Sequence, residues 1–150
     1  MKFNTKTRYG VRVVFELALN EDREGGTLQK EIAESQHVSI KYLDQIISSL
    51  KKAGLIINVG GKKSGYVLAR PANEITVYDV YSAFEDNLAI IDCLLSDGHC
   101  PRKGVCVMEE YWCELNDAIR KNMQDMNMQL MAEKHMRTGS GAHNVLKRKN

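Results

Sequence analysis

No run of 18 or more apolar residues occurs in this 150-residue chain, so nothing in it reads as a membrane-spanning helix. Its opening, Met1-Lys2-Phe3-Asn4-Thr5-Lys6, lacks the apolar stretch of a secretory signal. These absences predict a cytoplasmic protein with no membrane partner. The Gly-x4-Gly-Lys-Ser/Thr order of a phosphate-binding loop is also missing, because Lys63 follows Gly61-Lys62, and nucleoside triphosphate hydrolysis is not expected. No nucleophile, base and orienting group recur at an interpretable spacing, so the chain does not read as an enzyme.

The length suits one domain. Net charge is small, +2, but unevenly placed: residues 1–70 carry 12 Lys and Arg against 7 Asp and Glu, and residues 71–150 carry 9 against 12. The basic half is the candidate surface for a polyanion, since phosphate neutralisation supplies most nonspecific nucleic-acid affinity.

Apolar residues in the basic half follow a helical period. Val11, Val14, Phe15, Ala18 and Leu19 mark a helix over residues 9–19. Thr27 stands as the N-cap of a short helix over residues 28–35, and Ser39 as the cap of the next. In that third helix Ile40, Leu43, Ile47 and Leu50 form a narrow core stripe ending near Gly54. Two short helices joined by Gln36-His37-Val38 make a helix-turn-helix. Ser39, Lys41, Tyr42 and Gln45 lie at the start of the second of these and off its stripe, where a recognition helix meets base edges and phosphates; the competing reading is plain solvated polar positions.

After Gly54 the period changes. Leu55-Ile56-Ile57-Asn58-Val59 and Tyr66-Val67-Leu68-Ala69 read as strands, and Gly60-Gly61-Lys62-Lys63-Ser64-Gly65 between them as a cationic hairpin tip. Lys62 and Lys63 are thus candidates for phosphate or minor-groove contact. Beyond Pro71, residues 75–84 predict an amphipathic helix opened by Thr76.

All four cysteines, Cys93, Cys100, Cys106 and Cys113, fall within 21 residues. In a reducing cytosol such a cluster more often holds metal or does redox chemistry than forms structural disulfides. The loop between Leu94 and Cys106 is built of turn residues and cannot bury a core. Met108, Trp112, Leu115, Ile119, Met123, Met126 and Leu130 recur at helical spacing, predicting one helix of roughly six turns with an apolar stripe. A homodimer covers that stripe economically, and its two-fold symmetry suits a palindromic operator in double-stranded DNA; burial within the monomer and a different partner are the alternatives. The expected organisation is a winged helix-turn-helix over 1–70, a linker helix, cysteine loop and dimerisation helix over 71–137, and a disordered basic tail over 138–150. The fold class is mainly α with a small β-hairpin wing.

Several segments together carry a resemblance: Lys6-Thr7-Arg8-Tyr9-Gly10, the stretch from Ser39 to Ile46, Lys51-Lys52-Ala53-Gly54-Leu55-Ile56, Gly65-Tyr66-Val67-Leu68-Ala69, and Cys93, Cys100 and Cys106 followed by Trp112. Residues 1 to about 135 are similar to the winged-helix regulator family of IscR, NsrR and CymR. The resemblance implies a homodimeric transcription regulator that senses iron–sulfur, redox or nitric-oxide status. It also implies an iron–sulfur cluster on Cys93, Cys100 and Cys106, with [2Fe–2S] set ahead of [4Fe–4S]. The chain departs from the family at the fourth ligand, where IscR-like members have histidine and this chain has Glu109. Where NsrR-like members place an aspartate, it has Arg8, which cannot be a ligand. Glu109 and Cys113 are the candidates, although Cys113 lies about 10 Å along a helix from Cys106 and is otherwise a structural cysteine. His99 is a further candidate or a solvated loop residue. Zinc, bare thiol switching and a small iron–sulfur electron-transfer protein stand as alternatives, the last disfavoured by the lack of any Cys-x2-Cys pair.

Overall fold

The computed structural model describes residues 3–61, 64–95, 98 and 100–142. Helix α1, Thr5–Leu19, starts a turn earlier than its apolar period indicates, because the Asn4 side chain accepts the Thr7 N–H at 2.7 Å. Its buried face, Val13, Val14 and Leu17, is the centre of the core. Helices α2, Gln29–Gln36, and α3, Ile40–Lys52, pack against it and each other. His37 closes α2 in the left-handed conformation (φ 53°), which turns the chain sharply between the two helices.

Two local expectations do not hold. Thr27 does not cap α2; its backbone exchanges hydrogen bonds with Tyr66 (3.0 and 2.8 Å), and the Leu28 N–H at the helix start donates to the Glu31 carboxylate instead. Ile40 does not join the core stripe of α3. That stripe is Leu43, Ile46, Ile47 and Leu50, and Ile40 is 51% exposed.

The hairpin is antiparallel, β1 (Ile56–Asn58) against β2 (Tyr66–Leu68), with Ile56 opposite Leu68. Gly65 lies against the Thr27 backbone so closely that a Cβ would sit 2.6 Å from it. Helix α4, Val77–Ser82, is capped by Thr76 and Asp79 in a reciprocal pair: Asp79 N–H donates to the Thr76 hydroxyl and Thr76 N–H to the Asp79 carboxylate. Glu85, just beyond α4, accepts hydrogen bonds from the Asn4 N–H and the buried Thr7 hydroxyl, tying α4 to the start of α1.

The single long C-terminal helix is not found. Helix α5 spans Val107–Asp125 and α6 spans Met128–Ala142. Between them the backbone turns extended at Met126 (φ −97°, ψ 102°) and pairs with the segment before α4: Val77 N–H donates to Met126 and Met128 N–H to Ile75, both at 2.9 Å. The Asn127 side chain then accepts the Leu130 N–H, an N-cap that restarts the helix. Helix α6 folds back on α1 and buries Met128 completely. It also continues to Ala142, into the segment expected to be tail; the remaining tail residues lie outside the described residues.

The contact at Gly65 gives the first prediction. Gly65→Ala should destabilise the protein by roughly 1–3 kcal/mol, the usual cost of overpacking, seen as a drop of several degrees in Tm. An unchanged Tm would contradict the close approach of the wing to Thr27.

Candidate DNA-reading surface and cysteine cavity

Helix α3 is anchored by Ser39, whose hydroxyl accepts the Tyr42 N–H at 3.2 Å. With Leu43, Ile46, Ile47 and Leu50 turned inward, the face left open carries Ile40, Lys41, Asp44, Gln45 and Ser48. Lys41 and Gln45 therefore stand where sequence reasoning put them. Ser39 is exposed, but its hydroxyl is occupied in the cap. Tyr42 does not share the open face. It is half-buried, its ring meets Tyr9 edge-on at 5.8 Å, and its hydroxyl is buried without a partner among the described residues. Asp44 was not foreseen: it lies on the open face and is hydrogen-bonded to Gln29, which fixes the α2 start beside α3.

The wing is closed by Asn58, whose side-chain oxygen accepts from the Gly60 N–H (3.2 Å) and the Ser64 hydroxyl (2.6 Å). Gly60 and Gly61 both take positive φ, 89° and 101°, a turn that other residues adopt only with strain. Lys62 and Lys63 lie outside the described residues.

Cys93 sits in a 3₁₀ turn (Asp92–Leu94), Cys100 in the following loop and Cys106 at the N-cap position of α5. These half-buried thiols line one cavity of about 70 Å³, together with Lys103, Glu109 and Trp112. The loop is held to α5 by the Gly104 N–H, which donates to the Glu109 carboxylate at 2.8 Å. Glu109 and Glu110 also place negative charge in the first turn of α5, where the helix dipole favours it. Cys113 is exposed and lines a neighbouring groove that Cys106 and Glu109 also border. Among the described residues, no three His, Cys, Asp or Glu side chains are grouped tightly enough to hold a metal ion as they stand. His99 lies outside them. Lys103 in the cavity wall was not anticipated; its only signal was a place midway between Cys100 and Cys106.

Electrostatics elsewhere serve the scaffold. The Arg23 guanidinium, 2.7 Å from Glu31, and then the Leu28 N–H hold the Glu31 carboxyl below its ordinary range at the entry to α2. Burial, followed by the charge of Glu85, pushes the Tyr81 phenol up, and its hydroxyl donates to the Asn87 carbonyl.

A helix-turn-helix with an open recognition face, a glycine-turned wing and a separate thiol-lined cavity define a winged-helix DNA-binding regulator. Residues 3–134 match a family described as Rrf2, iron-dependent transcriptional regulator. Protein rrf2 of Nitratidesulfovibrio vulgaris is 34% identical over 128 residues, 85% of each chain. Two solved structures superpose on most of the chain: CymR, the global cysteine regulator of B. subtilis (30% identity, TM-score 0.74, 89% of this chain and 98% of that one), and T. potens IscR (31%, 0.71, 89% and 88%). The chain belongs to the Rrf2 family of transcriptional regulators and is not an enzyme. That membership sets aside the electron-transfer reading. Among the described residues no helix is long and apolar enough to cross a membrane.

The placement of Tyr42 and Gln45 separates their roles. Tyr42→Phe should leave Tm equal or higher, since a buried hydroxyl without a partner costs stability, and should leave DNA affinity unchanged. Gln45→Ala should cost about 1–3 kcal/mol on the selected operator and little on random DNA. A Tyr42→Phe variant that loses operator binding would reverse this assignment.

Proposed function

We propose that the chain is a homodimeric regulator that binds a palindromic operator and reports the state of an iron–sulfur cluster held by Cys93, Cys100 and Cys106. The observation that carries this reading is one cavity lined by all three thiols. The donor set fits such a group, because thiolates are soft ligands suited to iron–sulfur clusters and zinc. The cluster, when bound, would supply sensitivity to iron, oxygen or nitric oxide. Glu109 is the better fourth ligand, for it lines the cavity of the three thiols and Cys113 does not. Among the described residues no three such side chains are yet grouped tightly enough to hold a metal ion. Glu109, whose carboxylate accepts the Gly104 N–H, and Trp112 would be the other side chains beside the group. The cluster type stays proposed as [2Fe–2S].

A second reading, zinc binding or reversible thiol oxidation, is favoured by the similarity to CymR, a cysteine regulator. Protein purified anaerobically from iron-replete cells should be brown and contain iron and acid-labile sulfide. Colourless protein with stoichiometric zinc would move the assignment to the second reading. Cys93→Ala, Cys100→Ala, Cys106→Ala and Glu109→Ala should lose or alter the visible spectrum, and Cys113→Ala should not. A full cluster in Cys100→Ala would overturn the ligand set.

The dimer is proposed through the N-terminal half of α5. Met108, Tyr111 and Leu115 are 51%, 52% and 37% exposed, while Met123, further along the sequence pattern, is buried in the same chain. Glu110 and Glu114 flank the open half, and an apolar groove on α1 lined by Val11, Phe15, Met126 and Met131 is rimmed by Arg12 and Lys134. The two surfaces are complementary in charge as well as apolar. Tyr111→Glu combined with Leu115→Glu should give folded monomers by light scattering, with operator affinity lost. Unmodified protein that is monomeric at micromolar concentration would contradict the dimer.

On this reading Lys41 and Gln45, with the Ser39 end of α3, meet the major groove, and Lys62 and Lys63 meet phosphate or the minor groove.

A further inference from the structure

Every other member of the open face of α3 is polar: Lys41, Asp44, Gln45 and Ser48. Ile40 interrupts them as the first residue of the helix, one turn before Asp44, with half of its surface in water. The core is complete without it, since Leu43, Ile46 and Leu50 are fully buried in the same helix. Neither helix formation nor packing therefore calls for a large β-branched side chain here, and its exposure in the free protein is unfavourable. The base edges offer one apolar group in the major groove, the thymine 5-methyl.

We propose that Ile40 is a specificity residue that packs against the 5-methyl group of a thymine in each operator half-site. The inference rests on α3 being the base-reading helix and adds a residue and a base to that reading. Ser39 and the Gln29–Asp44 hydrogen bond hold this end of α3 in place, so the isoleucine is presented from a fixed backbone. A methyl contact contributes through burial alone, without the directional demand of a hydrogen bond. It distinguishes thymine from cytosine, which lacks the methyl, at a position where Lys41 and Gln45 read neighbouring polar edges.

The test uses the full-length protein and an operator selected from a random DNA pool. Each thymine of the operator is replaced in turn by deoxyuridine, which removes only the methyl, and Kd is measured for the unmodified protein and for Ile40→Ala at one salt concentration. At one thymine per half-site the replacement should weaken the unmodified protein about fourfold, the effect of burying one methyl group. Ile40→Ala should bind the thymine and uracil operators equally, with its random-DNA affinity and Tm unchanged. Uracil insensitivity at every position, or the same sensitivity in Ile40→Ala, would overturn the role of Ile40 while leaving operator binding intact. Failure to select any sequence would overturn the base-reading assignment of α3 and this inference with it. A loss of dimer in Ile40→Ala would show that a second copy, not DNA, covers the residue.

Discussion

Between α5 and α6, residues 126–128 leave the helical path and pair antiparallel with residues 75–77, the bonds from Val77 and Met128 each measuring 2.9 Å. Backbone groups in the interior must be paired, and here two irregular stretches satisfy each other. The pairing fixes where α4 starts, stops α5, and turns α6 back along α1. It also brings Met128 into the main core beside Ile75 and Val80. Without it the C-terminal half would be one rod projecting from the DNA-reading unit, with its methionines in water.

This arrangement joins the thiol cavity to the recognition helix through packed parts. Cys93 sits in a turn that α5 contacts, and the buried Asn116 side chain of α5 accepts the Ile90 N–H at 3.2 Å. Met123 of α5 packs with Tyr81 of α4 and Leu88. Glu85 after α4 holds Thr7 of α1, and the Phe84 ring lies where a side chain on Gly10 would be, its nearest atom 2.3 Å from the Cβ position. Helix α1 in turn packs on α3. The cysteine loop and α3 are thus linked by a continuous series of packed contacts, the physical requirement for the coupling proposed above.

Much of this was legible in the sequence because it is written locally. The period of 3.6, the Ser39 and Thr76 caps, the glycines of the wing and the clustering of cysteines each specify nearby backbone or chemistry. Ser39-to-Gln45 could be placed at a helix start from its cap and stripe alone. What failed to show was set by contacts distant in sequence. Thr27 has the chemistry of a cap, but Tyr66 claims its backbone. Met126 and Leu130 continue the spacing of Met108 to Met123, so the pattern runs straight through a break that only pairing with residues 75–77 creates; Asn127 was the one local hint. Ile40 fits a spacing of three from Leu43, yet Ile46 takes its place in the core. Periodicity says which residues share a face and leaves open which side of the stripe the neighbours cover. Family resemblance pointed to Cys93, Cys100 and Cys106; the structure adds that Glu109 lines their cavity and that Cys113 lines the neighbouring groove.

Coupling between cavity and operator is tested most directly by one pair of Kd values. The selected operator is titrated with cluster-loaded protein and with the same protein after anaerobic removal of metal, kept reduced and shown to be dimeric, at matched salt. The two values should differ by fivefold or more, the range of ordinary allosteric coupling. Equal values would contradict a cavity that speaks to the recognition helix.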